Sequence, residues 1–269
     1  MATEKRNGRK NAIEIPDART KRRRAAFVVG GSLLVIAIAV FLLFGLNKLM
    51  FKANPRMAFR ELHVSSSGYW NKKDDYIIRI LKLQKNTNIF ELDLQALRRK
   101  LRTIPSVEDA GVVRILPDTL LVNITERMPR ALINFSNAKW VIDENTVVME
   151  RKYSMASQLT LPLLVGVPHR RYSGGERLPE LKPALDLICK ILRSFPDMDL
   201  LRVSVATPEK FDFHIRYRNG KIYRVIMPVQ NRGLDFMLNA LQSAIIHAYQ
   251  LGDNRTTFNL SFDGQVVIN

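Results

Sequence analysis

Residues 112–133, VVRILPDTLLVNITERMPRALI, contain two runs of alternating apolar and polar residues that meet at Leu116-Pro117-Asp118. Alternation with a period of two is typical of half-buried β-strands, and Pro followed by Asp is typical of a turn. We therefore predict a hairpin, with one strand over residues 107–116 and the next over residues 119–125.

The second strand runs into Glu126, Arg127 and Pro129. Proline has a fixed φ and no N–H to donate to a sheet, so it is expected to end the strand. We interpret these three residues as a domain junction, in which Glu126-Arg127 makes a surface or interdomain ion pair.

A short strand and two helices precede this hairpin. Residues 59–64 (FRELHV) read as a strand, and two apolar stripes with helical spacing follow. Asp74 is expected to cap the first helix, and Pro105 stops the second. The order strand, helix, helix, strand, strand predicts a small α+β unit, in which the helices cover one face of a three-stranded sheet.

From Arg130 onward strands dominate, with two interrupting helices. Asn219-Gly220 predicts a tight hairpin turn, and the last two strands flank Asp263-Gly264. In the first of these two strands, Phe258, Leu260 and Phe262 are expected to face the core. Asn259 and Ser261 would then point toward a partner. The predicted helices lie near residues 181–195 and 234–251.

Residues 25–46 carry no charge over 22 positions. As a helix they would extend ~33 Å, enough to cross a hydrocarbon core of ~30 Å. A cleaved signal peptide would have a shorter apolar region that ends in an Ala-x-Ala-like site, and no such site follows. We predict an uncleaved transmembrane helix over residues 25–46.

The flanking charges predict its orientation. Residues 1–24 contain nine basic and three acidic residues, including Arg22, Arg23 and Arg24 next to the span. Positive charge is enriched on the cytoplasmic side of membrane helices. We therefore predict a basic cytoplasmic tail over residues 1–24, contact with the lipid bilayer, and a position outside the cytoplasm for residues after about 50.

Motifs for catalysis and for nucleic acid are missing from the sequence. It has no HExxH, Walker A, GxSxG or GxGxxG pattern, and no zinc-finger or helix-turn-helix signature. Its net charge of +17 divides into +6 for residues 1–24 and +11 for residues 47–269. Its one cysteine, Cys189, excludes an intrachain disulfide. We predict an adaptor that is not an enzyme, with no cofactor, metal, small-molecule substrate or nucleic acid.

Six stretches, in order along the chain, resemble the FtsQ/DivIB family of single-span bacterial cell-division proteins. The most specific is Leu116-Pro117-Asp118 leading into the strand that ends in Glu126-Arg127-x-Pro129-x-Ala131. The chain differs from the family where Ser65-Ser66-Ser67-Gly68 replaces the usual Val-x-Gly. The other five matching stretches are FRELHV (59–64), NIFELD (88–93), WVIDENTVVM (140–149), LPLLVGV (161–167) and FNLSFDG (258–264).

This resemblance implies a POTRA (polypeptide-transport-associated) domain over residues 57–127 and a β domain over residues 128–269. It further implies a divisome scaffold in the inner membrane at the septum, which links early and late division proteins. FtsB- and FtsL-like proteins would bind by adding a strand to the last strand. The implied partner-binding residues are Phe258, Asn259, Leu260, Ser261, Phe262, Gly264, Val266 and Val267.

Two other functions remain open from the sequence. One is a POTRA-bearing envelope adaptor for secretion or outer-membrane assembly, and the other is a membrane-anchored envelope hydrolase with an unrecognised site. An open sheet edge near the last strands favours the scaffold. A compact pocket with convergent titratable groups would favour the hydrolase.

Overall fold

The computed structural model describes residues 18–47, 50–51, 54–133, 139–168, 170–229, 233–262 and 265–268. The chain divides into two compact units, Met1–Met57 and Ala58–Asn269. The first unit contains helix α1 (Ala18–Asn47). Within the described ranges, α1 is the one helix long and apolar enough to cross a membrane, over Val29–Leu46.

Helix α1 begins earlier than the predicted span of residues 25–46. The added N-terminal turns contain Arg22, Arg23 and Arg24, and Arg and Lys are good helix formers, so the helix continues into the basic segment. The side chains of these three arginines lie outside the described part, as do residues 1–17 of the predicted tail.

The second unit begins with a three-stranded sheet of order β1-β3-β2, in which β1 runs parallel to β3. Helices α2 and α3 pack against this sheet, so the predicted small α+β unit is confirmed. The elements are β1 (Glu61–Ser66), α2 (Asp74–Leu81), α3 (Leu94–Leu101), β2 (Val107–Ile115) and β3 (Thr119–Glu126).

One predicted helix cap is wrong. Asp74 is the first residue of α2, and its Oδ1 accepts a hydrogen bond from the backbone N–H of Val64 at 2.7 Å. The carboxylate therefore ties the helix to β1 and does not cap the helix. Asp93 does cap α3, because its Oδ1 accepts from the N–H groups of Gln95 and Ala96.

A nine-stranded mixed sheet follows, with the order β12-β11-β10-β9-β8-β7-β4-β5-β6. The pairs β4–β7, β7–β8 and β10–β11 are parallel, and the other neighbours are antiparallel. The strands are β4 (Pro129–Ile133), β5 (Trp140–Asp143), β6 (Val148–Glu150), β7 (Leu163–Val165), β8 (Met198–Ser204), β9 (Lys210–Tyr217), β10 (Ile222–Pro228), β11 (Thr257–Phe262) and β12 (Gln265–Ile268).

Helices α4 (Lys182–Ser194) and α5 (Leu234–Gln250) bury one face of this sheet. Strand alternation explains which residues lie beneath them. Phe211, Phe213, Ile215 and Tyr217 of β9 are buried, while the intervening residues of the same strand are half-buried or exposed. The face of β8–β10 opposite the helices is therefore polar and open to solvent.

Candidate functional site

Strand β12 forms one edge of the large sheet. It pairs with β11 in antiparallel fashion, through Phe258 with Ile268, Asn259 with Val267, and Phe262 with Gln265. In the described part of the chain, no strand pairs with the other side of β12. A free edge of this kind presents unpaired N–H and C=O groups to which another strand can bind.

The free edge is shorter than residues 258–268. Strand β11 lies inside the sheet, because Thr257–Asn259 pair with Arg224–Ile226 of β10 on the side away from β12. Gln265–Ile268 has no strand partner on its outer side within the described residues. Phe258 and Asn259 pair with both β10 and β12, so they have no free backbone edge, whereas the pairing with β10 does not extend to Leu260, Ser261 and Phe262.

The side chains of β11 follow the predicted alternation only at first. Phe258 and Leu260 are buried, as predicted, but Phe262 is 54% exposed, so its predicted position in the core is wrong. The register shifts between Asn259 and Phe262, and such an irregularity changes the face to which later residues point. Phe262 thus offers an aromatic surface next to the free edge.

The predicted partner-binding residues of β12 divide between the two faces of the sheet. Val266 packs partly against the core together with Ile268, so Val267 lies on the opposite face. Gly264 and the predicted turn at Asp263-Gly264 lie outside the described residues.

Arg255 holds the end of β12, a role that the sequence analysis missed. Its Nη1 donates to the carbonyl of Ile268 at 2.8 Å, and its Nε and Nη2 bind the carboxylate of Asp253 at 2.6–3.0 Å. The side-chain hydrogen bonds from Arg255 lower the pKa of Asp253 to about 2. The signal in the sequence, Asp253-x-Arg255, is common in loops and does not reveal the contact.

The opposite edge of the sheet, β6, is covered. Val148 donates its N–H to the carbonyl of Glu176 at 2.8 Å, and its carbonyl accepts from the N–H of Gly175 at 2.8 Å. Val147 and Arg177 also pair in antiparallel fashion, which extends the cover by one residue pair. The segment around Gly175 therefore satisfies the backbone groups that β6 would otherwise present to solvent.

The junction between the two sheets is built on two carboxylates. Glu126 is buried and accepts hydrogen bonds from Ser66 Oγ at 2.5 Å, from Tyr69 N at 3.0 Å and from Trp70 N at 2.8 Å. It therefore holds the loop after β1, and the predicted ion-pair role is wrong for Glu126. A buried carboxylate is well satisfied by such donors.

Arg127 makes the ion pair that was predicted for this segment. Its Nη1 lies 3.0 Å from Oδ2 of Asp143, whose side chain is only 4% exposed. Oδ1 of Asp143 also accepts from the N–H groups of Asn145 and Val147. Pro129 is the first residue of β4, a strand position that needs no N–H donor.

Candidate metal ligands and nucleophiles were also located in the described part of the chain. No group of three or more His, Cys, Asp or Glu side chains in the described ranges could hold a metal ion. Burial raises the pKa of the Cys189 thiol, which disfavours the nucleophilic thiolate. His63, His214 and His247 lie in three different elements, and His169 is outside the described residues.

Along the sequence, an apolar helix is followed by a β-α-α-β-β unit and then by a strand-rich sheet with a free edge. This order is typical of membrane-anchored POTRA proteins. Residues 58–127 match the model of the POTRA domain, FtsQ-type. Curated cell division proteins named FtsQ and DivIB are similar to this chain.

Three relatives show how far the similarity extends. The cell division protein FtsQ of Koribacter versatilis is 27% identical over 54% of this chain and 42% of its own length. DivIB of Clostridium tetani is 25% identical over 73% of this chain and 74% of its own. FtsQ of Zymomonas mobilis is 33% identical over 49% of this chain and 43% of its own. The matches thus span less than half of the two FtsQ relatives.

Proposed function

We propose that this protein is a non-enzymatic scaffold of the bacterial divisome, which binds FtsB- and FtsL-like single-span proteins by strand addition. A partner strand would pair with the outer edge of β12, with backbone hydrogen bonds supplying affinity. Val267 and Phe262 would contact its side chains. Links to other early and late division proteins follow from the same scaffold role.

One observation carries this proposal: the large sheet covers β6 and leaves β12 open. A sheet edge without cover is a liability in a soluble protein, because it pairs with other chains. Proteins therefore retain such an edge where it has a use. The names of the relatives supply the process, cell division, in which we place this use.

The direct test introduces proline into β12. The full chain would be co-expressed with the FtsB- and FtsL-like proteins of the same genome and purified in detergent. Val267→Pro removes the N–H that faces Asn259 of β11, so β12 should detach from the sheet and co-purification should be abolished. Val267→Thr keeps the backbone groups and should retain partner binding. Deleting residues 265–269 is a cleaner truncation than deleting 258–269, because Phe258 belongs to the core.

The matched control is Val113→Pro in β2, the edge strand of the small sheet. Val113 is 51% exposed, and β2 pairs only with β3 within the described residues. This variant should co-purify with the partners as the wild-type chain does. Unchanged binding by a folded Val267→Pro protein would place the partner site elsewhere.

We also propose that α1 leaves the N-terminus in the cytoplasm and the second unit outside the membrane, at the septum. The charge difference across the apolar span supports this orientation. Protease added to spheroplasts should digest the unit after residue 57, and complete protection would contradict the topology. A fluorescent fusion should gather at the septum of dividing cells; uniform membrane fluorescence would contradict the division role.

The division into a POTRA domain (57–127) and a β domain (128–269) remains part of the proposal. Each range contains its own complete sheet, which supports a boundary near Arg127–Pro129. Residues 57–127 expressed alone should show stable helix and strand signals by circular dichroism. If that fragment is unfolded while the full chain is folded, the two ranges are one folding unit.

A further inference from the structure

A polar cleft lies on the solvent-facing side of the nine-stranded sheet, opposite α4 and α5. Its volume is about 240 Å³. Strand register brings its residues together, because Arg202 pairs with His214 between β8 and β9, and His214 pairs with Arg224 between β9 and β10. The cleft is lined by Val165, Arg202, Ser204, Asp212, His214 and Arg224.

The two arginines of the cleft differ in their partners. Arg224 donates from Nε and Nη2 to the carboxylate of Asp212, at 3.0 and 2.6 Å, so its charge is compensated. Arg202 has no carboxylate within ion-pair distance among the residues that the structure describes. Its Nε and Nη2 instead lie 3.1 Å from Nδ1 and Nε2 of His214, respectively.

An imidazole cannot satisfy both of these donors. A neutral ring has one nitrogen with a free lone pair and one that carries hydrogen, and a protonated ring has no acceptor at all. At least one N–H of Arg202 on this side therefore lacks an acceptor from His214. The guanidinium is left with a positive charge and a donor that an anion could use.

The charge of the cleft selects the kind of anion. Burial lowers the pKa of His214, and the positive charges of Arg202 and Arg224 lower it further, while Asp212 opposes them. The imidazole is therefore neutral near pH 7. Two guanidinium groups and one carboxylate leave a net charge of one, which matches a monoanion. A phosphate dianion would meet the carboxylate of Asp212.

We propose that this cleft binds a carboxylate of an acidic protein segment, an Asp or Glu side chain, with Arg202 as its main ligand. The planar guanidinium suits a carboxylate, and the Ser204 hydroxyl lines the same space. The excess positive charge of residues 47–269 favours an acidic partner over a neutral one. The site lies within the sheet face, separate from the free edge of β12, and does not depend on strand addition.

The test measures the pKa of His214 by NMR in the full chain, in detergent micelles, with ¹³C-labelled histidine. Titrations in chloride, acetate and dimethyl phosphate would be run at one ionic strength, with the signal assigned through His214→Gln. Acetate should raise the pKa of His214 by about 0.5, which corresponds to about threefold tighter binding to the protonated form. His63 and His247 should not respond.

Two variants make the test specific. Arg202→Gln removes the main ligand and should abolish the acetate response. Arg216→Gln is the matched control, because Arg216 lies on the same strand face and pairs with Asp199 at 3.4 Å; it should retain the response. A glutamate-rich peptide should give the same pKa shift at lower concentration than acetate.

Several results would overturn the proposal. An absent acetate response, or one that survives in Arg202→Gln or disappears in Arg216→Gln, would show that the cleft is not the site. An equal response to dimethyl phosphate would assign the cleft to phosphodiesters. A response to acetate without one to the peptide would exclude an acidic protein segment as the source.

Discussion

The two edges of the nine-stranded sheet are treated in opposite ways. At β6, both backbone groups of Val148 are bonded to the segment of Gly175 and Glu176. At β12, no described strand covers the outer side, and Arg255 bonds the carbonyl of Ile268. A loop covers the edge at β6, so the uncovered edge at β12 is specific to that side of the sheet.

The sealed edge is also tied to the junction. Asp143 ends β5, pairs with Arg127, and accepts the N–H of Val147 just before β6. The same carboxylate thus stabilises the turn into β6 and the connection to the small sheet. A buried ion pair thus lies at the sealed edge, whereas the proposed binding lies at the open one. The two edges should therefore respond differently to mutation.

The largest expected effect comes from Arg127→Ala at the sealed edge. It leaves the carboxylate of Asp143 buried without its charged partner, which should cost about 3 kcal/mol of the free energy of unfolding. Urea unfolding of the full chain in detergent, followed by Trp fluorescence, measures this loss. Partner binding under native conditions should be unchanged.

Two controls test the reason for that loss. Arg127→Ala combined with Asp143→Asn should be more stable than Arg127→Ala alone, because the uncompensated charge is gone. Arg130→Ala removes a more exposed pair with Glu144 and should cost less than about 1 kcal/mol. Equal losses for Arg127→Ala and Arg130→Ala would mean that burial of the Asp143 carboxylate does not matter.

The second effect concerns the cover of β6. Gly175 has a φ of +87°, and its N–H donates to Val148. Gly175→Pro loses this donor and cannot adopt that φ, so it should cost more than about 1 kcal/mol. Gly175→Ala keeps the donor and should cost about 1 kcal/mol through backbone strain alone. Hydrogen exchange at the Val148 amide should accelerate in the proline variant; unchanged protection would show that another segment seals β6.

A smaller effect is expected at the open edge from Arg255→Gln. It removes the hydrogen bond to Ile268, so the amides of β12 should exchange faster, with little change in global stability because the pair is exposed. Since the pKa of Asp253 is lowered to about 2, its ion pair with Arg255 should persist above pH 3.8 and weaken as the pH falls toward 2. Arg218→Gln removes an exposed ion pair with Asp197, away from β12, and should not change hydrogen exchange in β12.

The smallest expected effect is the pH dependence of stability that arises from His214, on the solvent-facing side of the sheet. The folded state lowers the pKa of His214 below 6.5, so the unfolded state binds more protons between the two values. Stability should therefore rise slightly with pH across that window and level off above 6.5. His214→Gln should remove this part of the pH dependence. An unchanged pH profile in the variant would assign it to another group.

The small unit could be predicted from sequence because its signals are local. Strand β3 alternates over its whole length, the hairpin turns at Leu116-Pro117-Asp118, and both helices carry clear apolar stripes. The error at Asp74 arose because a carboxylate at a helix start can bond to a neighbouring strand instead. Nothing local in the sequence distinguishes these two partners.

The large sheet was harder to predict because its pairings are distant. Strand β8 escaped prediction since its register shifts between Leu200 and Arg202, which breaks the alternation of buried residues. The cover of β6 by the Gly175 segment also has no local signal. The pairing of Phe258 and Asn259 with strands on both sides likewise has no local signal.

The parallel pairing of β10 with β11 has a consequence for assembly. The chain must pass through α5 before β11 can join the sheet, and Phe258 then buries in the same core as Leu238. Until that step, β10 is the outermost strand and β12 has no neighbour on which to form. If a partner strand pairs with β12 as proposed, it would pair only with copies in which β11 has already joined the sheet. Partner binding would then select chains whose core is complete.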